Sequence, residues 1–267
     1  MDAARADTRK DRRYPQIPFG ARRPSTIIRP FQQNLVSPDS TQYLFKHHPE
    51  TCDPDDVWGQ VKRTVGGKPV SAEHIELIVQ TIRSGLDVGP DDVLLDLCCG
   101  NGALTSRIFE ACRGGLGVDY SAFLIDVANR RFASGPHERY LLADALDYVQ
   151  AADDARAFTK VLCYGAFPYF DLDGALSLLS ALNQRFERAT HVFLGQLPDK
   201  ARMDAFYTRE APPQGVEDDP GGLLGVWRTP AEMQDLARAS GWTARCERMP
   251  PSFYAAHYRF DAIMTRP

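Results

Sequence analysis

The segment from Val93 to Thr105 constrains the fold most strongly, because an apolar run passes through a glycine-rich turn into an amphipathic run. It reads Val-Leu-Leu-Asp-Leu-Cys-Cys-Gly-Asn-Gly-Ala-Leu-Thr. Val93–Leu97 has the continuous apolar character of a buried strand, and Leu104 and Ile108 follow at helical spacing. A strand that leads through glycines into a helix is typical of open α/β sheets, where ligands bind outside the carboxyl ends of the strands.

The same alternation of apolar and amphipathic runs continues toward the C-terminus. Four further strands are predicted: Gly115–Asp119, Tyr140–Ala143, Val161–Tyr164 and His191–Leu194. Ser121 is a predicted helix N-cap, and Thr229 begins a Thr-Pro-Ala-Glu sequence with the pattern of a capping box. Two extended runs between Trp242 and Met264 predict a closing hairpin. The pattern therefore predicts a doubly wound, Rossmann-like, mostly parallel sheet of about seven strands with helices on both faces.

The N-terminal third has a different composition and suggests two further regions. Residues 1–40 are rich in Arg and Pro without periodicity, which predicts a flexible tail. Residues 41–90 are predicted to form a helical cap or lid, in which Ser71 caps a helix that stops at Gly85. Residues 91–267 then form the main domain.

Composition excludes several classes of protein. The net charge of the 267-residue chain is −4, whereas a general nucleic-acid binder is usually basic. The six cysteines include no C-x-x-C pair, so a zinc site has no support. We expect reduced thiols in a cytoplasmic protein. No stretch is long and apolar enough to span a membrane.

Three carboxylates at predicted strand ends indicate the kind of ligand. A dinucleotide fingerprint G-x-G-x-x-G would need a third glycine where Thr105 stands, which argues against pyrophosphate. Asp96 precedes the turn, where a carboxylate favours a cationic ligand. Asp119 ends the second strand and can accept both hydroxyls of a ribose. Asp144 follows the third strand and can accept a hydrogen bond from an adenine amino group.

These motifs, in this order and spacing, resemble the class I S-adenosylmethionine-dependent methyltransferases. The resemblance rests on Leu95–Gly102, Val118–Ser121 and Ala143–Ala145, and it covers roughly residues 65–265. It implies S-adenosyl-L-methionine as cofactor and an antiparallel last strand. It also implies that residues of these motifs contact the methionyl part, the ribose and the adenine of the cofactor. The residues assigned to this cofactor site are Asp96, Cys98, Gly100, Asn101, Gly102, Asp119, Tyr120, Asp144, Ala145, Tyr164 and Arg63.

Each assignment has a simpler structural alternative that the sequence leaves open. Gly100 and Gly102 can form only a tight turn, Asp119 can serve as a partner of the next helix, and Asp144 can be an ordinary loop residue. Arg63 and its neighbour Lys62 can hold the cofactor carboxylate or an anionic acceptor, or they can lie at a solvated helix end.

The acceptor is predicted to lie beyond the fourth strand, along Cys163–Phe170. This segment lacks the Asn/Asp-Pro-Pro-Tyr sequence that methyltransferases acting on amino groups of nucleobases or glutamine share. We therefore expect a small-molecule hydroxyl, on a sugar or a natural product, with nucleic acid disfavoured as a partner. The proline-rich segment 208–228 is a predicted lid.

His257 is the leading candidate for the catalytic base, with His191 and the pair His47-His48 as further candidates. Two alternative functions remain. One is a non-catalytic S-adenosylmethionine-binding sensor or partner protein, and the other is a methyltransferase that acts on RNA or protein. The sequence gives no indication of the oligomeric state.

Overall fold

A computed structural model describes residues 45–267, and a seven-stranded sheet lies at their centre. In chain order the strands are β1 (Thr64–Val65), β2 (Lys68–Pro69), β3 (Leu94–Leu97), β4 (Gly115–Asp119), β5 (Glu138–Leu142), β6 (Lys160–Tyr164), β7 (His191–Pro198), β8 (Thr243–Glu247) and β9 (Arg259–Thr265). The helices are α1 (His48–Thr51), α2 (Val57–Gln60), α3 (Ala72–Leu86), α4 (Ala103–Phe109), α5 (Ala122–Arg131), α6 (Ala145–Ala151), α7 (Leu172–Arg185), α8 (Met203–Phe206) and α9 (Pro230–Ala239).

The order of strands in the sheet is β5-β4-β3-β6-β7-β9-β8. The first five run parallel, whereas β9 is antiparallel to both of its neighbours, β7 and β8. Strand order reverses between β3 and β6, so the carboxyl end of β3 lies at the switch point where such sheets bind ligands. The predicted fold class, the closing hairpin and the antiparallel last strand are confirmed.

Both faces of the sheet are buried, which explains why its strands appear in the sequence as continuous apolar runs. Leu95 and Leu97 of β3 belong to a core cluster that includes side chains of α6, α7 and α9. Leu94 belongs to a second cluster with side chains of α3, α4 and α5. The side chains of β3 alternate between the two faces, so Asp96 lies on the same face as Leu94.

The helices begin where the sequence predicts. The side chains of Ser71 and Ser121 accept hydrogen bonds from backbone N–H groups in the first turns of α3 and α5, and Thr229 forms a complete capping box with Glu232. The predicted stop at Gly85 is wrong, because α3 continues to Leu86. A Cβ at Gly85 would lie 2.6 Å from the Phe193 ring, so this glycine allows close packing of helix on sheet.

The N-terminal part of the described chain is less helical than predicted. Residues 45–70 contain the single-turn helices α1 and α2 and the small hairpin β1–β2. Gly66 and Gly67 form the turn of this hairpin, and both adopt positive φ. The predicted tail, residues 1–40, lies outside the described residues. The division into tail, cap and main domain stays a prediction. None of the helices in residues 45–267 is long and apolar enough to cross a bilayer.

Replacing Thr229 with alanine should destabilise the protein by about 1 kcal/mol, because α9 loses the oxygen that accepts the Glu232 backbone N–H. Urea unfolding followed by circular dichroism measures this difference. Thr208→Ala is a suitable control, since Thr208 is exposed outside a helix and should change the free energy of unfolding by less than about 0.5 kcal/mol. Equal losses in the two variants would contradict a stabilising cap.

Candidate functional site

The turn between β3 and α4 is shaped by three residues in the left-handed region, at Cys98 (φ 58°), Gly100 (φ 60°) and Gly102 (φ 79°). Two of them also need the space that glycine leaves. A Cβ at Gly100 would lie 2.8 Å from Cγ1 of Val61, and one at Gly102 would lie 2.8 Å from the Tyr140 ring. The turn is therefore closely packed between the sheet and the segment that follows α2.

Asp119, at the end of β4, binds this turn directly. Its Oδ2 accepts a hydrogen bond from the Gly100 N–H at 2.9 Å, and its Oδ1 accepts one from the Ser121 N–H at 2.9 Å. Burial raises the pKa of the Asp119 carboxyl, while these N–H donors act in the opposite direction. The carboxylate thus joins the glycine turn to the start of α5.

Asp96 is the second buried carboxyl group at this edge of the sheet. Its Oδ2 accepts a hydrogen bond from the Thr105 hydroxyl at 2.5 Å. Burial raises the pKa of Asp96 to about 7, although Thr105 and the positive charge of Arg63 lower it. A cationic group of a ligand would stabilise the ionised form further.

Arg63 lies between two aromatic rings beside Asp96. Its guanidinium carbon is 5.5 Å from the centroid of Trp58 and 5.1 Å from that of Tyr164. No carboxylate within residues 45–267 lies at salt-bridge distance from Arg63. The half-buried guanidinium is therefore available to an anionic group at the junction of β3 and β6. Lys62 is exposed.

Asn101 and Cys98 make contacts that the sequence did not indicate. The Asn101 amide donates to the Val57 carbonyl at 2.7 Å and to Oε1 of Gln60 at 2.9 Å, so it connects the turn to α2. The Cys98 thiol lies beside Cys163, and this contact together with burial raises its pKa well above the ordinary value. Cys98 therefore stays a protonated thiol.

Three further predicted residues lie around the ends of β4 and β5. Tyr120 is half-buried, and the Lys46 ammonium lies 5.0 Å from its ring centroid. Asp144 is exposed and caps α6, since its Oδ1 accepts from the backbone N–H groups of Leu146 and Asp147. Ala145 is buried in the first turn of α6. All of the assigned cofactor residues thus come from the carboxyl edge of the sheet or from the segment that covers it.

The histidines are spread over the molecule. His257 is exposed in the turn before β9, and its ring makes an edge contact with Tyr258 at 4.7 Å. His191 begins β7 at the opposite edge of the sheet, where burial and Lys160 lower its pKa. Nε2 of His48 lies 3.1 Å from the Gly59 carbonyl oxygen. The role of His257 as a base stays a prediction.

Sequence reasoning missed two buried polar residues near the end of β7. Gln196 and Asp261 are 6% and 2% exposed, and they lie next to Tyr164 in the sheet. The signal was present, since each is a polar residue within an otherwise apolar strand. Their juxtaposition depends on how β7 pairs with β9, which the sequence alone did not reveal.

The fold and the glycine turn at this edge agree with the resemblance to the class I methyltransferases. Residues 94–186 match the family described as "Methyltransferase domain". No curated protein sequence matches the chain significantly.

Solved structures with the same fold include three distant proteins. One is magnesium protoporphyrin IX methyltransferase from Synechocystis PCC 6803 with bound S-adenosylmethionine (15% identity, 73% of this chain and 79% of that chain, TM-score 0.51). Another is an S-adenosylmethionine-dependent methyltransferase from Clostridium acetobutylicum (14% identity, 74% and 92% coverage, TM-score 0.55). A third is a cyclopropane synthase from Mycobacterium tuberculosis (12% identity, 73% and 94% coverage, TM-score 0.55).

Residues 94–186 therefore form a methyltransferase domain, and the fold around them is shared with S-adenosylmethionine-dependent methyltransferases. Similar structures contain S-adenosylmethionine or S-adenosylhomocysteine, which agrees with the predicted cofactor. The acceptor is a separate question, because the similar structures carry names with different acceptors.

Replacing Asp96 with asparagine should stabilise the cofactor-free protein at high pH by up to about 4 kcal/mol. The folded-state pKa of about 7 exceeds the ordinary 3.8, so the fold favours the protonated carboxyl. Its contribution to stability is present at low pH and is lost as the pH rises from about 4 to 7. Asparagine carries no charge and retains an oxygen for Thr105. Thermal unfolding between about pH 4 and 8 measures the difference.

The exposed Asp91 provides the control for this experiment. The stability difference between Asp91→Asn and the unsubstituted protein should not grow with pH. If the gain for Asp96→Asn is the same at every pH, the shifted pKa of Asp96 is refuted.

Proposed function

We propose that the carboxyl edge of the sheet holds S-adenosylmethionine in an extended arrangement. Asp119 would bind the ribose and Asp144 the adenine, and Gly100 and Gly102 would let the backbone approach the methionyl part. Arg63 would bind the methionyl carboxylate. The observation that carries this proposal is the pair of buried carboxyl groups, Asp96 and Asp119, at the ends of adjacent strands beside a glycine turn.

The chemical character of Asp96 fits this ligand. A buried carboxyl with a raised pKa gains a partner when a cationic group lies near it. When bound, S-adenosylmethionine supplies an electrophilic methyl group on a positively charged sulfur. The residues of the chain contribute by positioning the methyl donor and the acceptor and by excluding water.

We infer further that the methyl group goes to a hydroxyl of a small molecule. Support comes from the loop after β6, residues 165–170, and from segment 208–228, which lie against each other. The Tyr169 hydroxyl donates to the Leu223 carbonyl at 3.0 Å, and the Val226 N–H donates to the Pro168 carbonyl at 2.7 Å. These hydrogen bonds close one side of the region beyond β6.

An aromatic cluster lies next to this region. Phe206, Tyr207, Trp227 and Tyr258 form a connected cluster with ring centroids 5.0 to 6.4 Å apart. Aromatic side chains with few polar neighbours suit contact with a small organic acceptor. A nucleic-acid acceptor would instead need a basic surface, and the net charge of −4 gives no support for one.

Asp119→Ala should weaken binding of S-adenosylmethionine, because each lost charge-assisted hydrogen bond to a ribose hydroxyl costs about 1.5–3 kcal/mol. Titration calorimetry measures the affinity, and Asp147→Ala, an exposed change on α6, should leave it unaltered. Unchanged affinity in the Asp119 variant would exclude this carboxylate from the cofactor site.

The acceptor class is tested by incubating the protein with methyl-labelled S-adenosylmethionine and four separate pools of phenols, sugars, bulk RNA and protein extract. We expect label in a small-molecule pool only. Label in RNA or protein would replace the proposed acceptor, and an RNA gel shift that weakens steeply with salt would agree with that outcome. Tight cofactor binding without transfer to any pool would favour a sensor.

A further inference from the structure

Residues 53–63, which contain α2 and end at Arg63, form a cover that packs on the glycine turn between β3 and α4. The cover contacts the turn at Gly100, where a Cβ would lie 2.8 Å from Cγ1 of Val61. It also carries Arg63, whose guanidinium lies beside the Tyr164 ring at the end of β6. A cofactor held by Arg63 and by the carboxyl edge of the sheet would therefore lie between this edge and the cover.

Two buried amide side chains, Asn101 on the turn and Gln60 on the cover, join these parts of the chain. Each is 1% exposed. Nδ2 of Asn101 donates to the Val57 carbonyl at 2.7 Å and to Oε1 of Gln60 at 2.9 Å. Nε2 of Gln60 donates to the Pro54 carbonyl at 3.2 Å. The two hydrogen bonds that Asn101 donates thus form a latch between the turn and the cover.

The chemistry of the neighbouring groups fixes the orientation of both amides. The Val57 and Pro54 carbonyls only accept hydrogen bonds, so each must face an amide nitrogen. The Asn101 oxygen then accepts from the Ala103 N–H at 3.3 Å, and Oε1 of Gln60 faces Asn101. Every polar atom of the Asn101 side chain therefore has a partner within the protein. The side chain has no free donor with which to hold a cofactor.

The cover has little stability of its own. α2 is a single turn of four residues, and helices this short are not stable in water without tertiary contacts. The Arg63 N–H donates to the Trp58 carbonyl at 2.8 Å, so Arg63 moves together with α2. Exposed residues with positive φ follow α2, at Lys62 (φ 54°), Gly66 (φ 57°) and Gly67 (φ 77°). Segments with few buried contacts open at a lower free energy than the core, so the latch largely determines how often this one opens.

We propose that Asn101 and Gln60 gate the cofactor site, because the cover must open to admit or release S-adenosylmethionine. The inference rests on the proposed placement of the cofactor at this edge of the sheet. Asn101 is then a positioning residue, which acts on the cofactor through the cover and does not bind it. The latch sets the rate at which the cofactor enters and leaves.

A gate of this kind has a specific kinetic signature. The latch joins two parts of the protein and includes no atom of the cofactor, so weakening it favours the open cover equally in the free and in the cofactor-bound protein. Association and dissociation of the cofactor should then accelerate by the same factor, and the Kd should stay the same. A side chain that binds the cofactor directly would instead change the dissociation rate and the Kd together.

Gln60→Met is the principal variant, since methionine has a similar length and lacks the amide. It removes one of the two latch hydrogen bonds, which should accelerate both rates about 5-fold. Asn101→Ala removes both hydrogen bonds and should accelerate both rates about 25-fold. Adding Gln60→Met to Asn101→Ala should change the rates little further, because the Gln60 side chain then has no partner on the turn.

The rates are measured with methyl-labelled S-adenosylmethionine. Association is followed after rapid mixing, dissociation is followed after addition of excess unlabelled S-adenosylmethionine, and calorimetry gives the Kd. Asn183→Ala is the matched control, because the Asn183 amide also donates to a backbone carbonyl, that of Gly241 at 2.8 Å, but lies near the end of α7. Both rates should be unaltered in this control.

Amide hydrogen exchange of residues 53–63 measures opening of the cover without any cofactor. Because α2 depends on tertiary contacts, its amides should exchange with solvent whenever the cover opens. We expect this exchange to be about 5-fold faster in Gln60→Met, in proportion to the larger open fraction. Exchange within α7 and the melting temperature should stay the same, since the latch lies outside the core.

The outcomes distinguish this inference from the proposed function. Failure of the unsubstituted protein to bind S-adenosylmethionine overturns the proposed function and the gate with it. Unchanged exchange of residues 53–63 in Gln60→Met overturns the latch alone, whether or not the cofactor binds. Faster dissociation at an unchanged association rate also overturns the gate alone, because it assigns the lost hydrogen bonds to holding the cofactor. A lower melting temperature with unaltered rates shows a purely structural role and overturns the gate as well.

Discussion

The hydrogen bond from the Gly100 N–H to Asp119 is the constraint on which the rest of the edge depends. It fixes the turn after β3 to the end of β4, and the same carboxylate accepts the Ser121 N–H at the start of α5. The glycine turn also contains Asn101, whose side chain connects it to α2. One buried carboxylate therefore positions the glycine turn, a helix start and the covering N-terminal segment together. A methyltransferase needs this, because catalysis by positioning requires a cofactor site of defined shape.

Two buried carboxyl groups at this edge carry a cost in stability. Asp96 and Asp119 lie on adjacent strands, and burial raises the pKa of both. The backbone N–H groups offset part of this cost for Asp119, whereas Asp96 has the Thr105 hydroxyl and the charge of Arg63. Under the proposed function, the cofactor would bring a positive charge near Asp96 and ribose hydroxyls near Asp119. Its binding would then return part of the stability that the fold gives up here.

The fold was readable from the sequence because its signals are local. Apolar runs such as Leu94–Leu97 lie in a sheet buried on both sides, and the caps at Ser121 and Thr229 depend on residues three positions away. The features that the sequence did not predict correctly depend on contacts between residues distant in the chain. Gly85 looked like a helix stop, yet it packs against Phe193, and the Asn101 side chain contacts α2, more than 40 positions earlier. No local pattern contains such contacts.

The acceptor side of the site shows the same limit of prediction from the sequence. Histidines attract attention in a sequence because their pKa lies near neutrality. The structure places His257 in an exposed turn before β9. In the sequence, Asp261 is a charged residue within an apolar strand. The structure shows that it lies opposite the bulge in β7. There the carboxylate accepts a hydrogen bond from the N–H of Gln196, which adopts a positive φ. Residues that break the local pattern of a strand are expected at functional sites, since only function compensates for their cost.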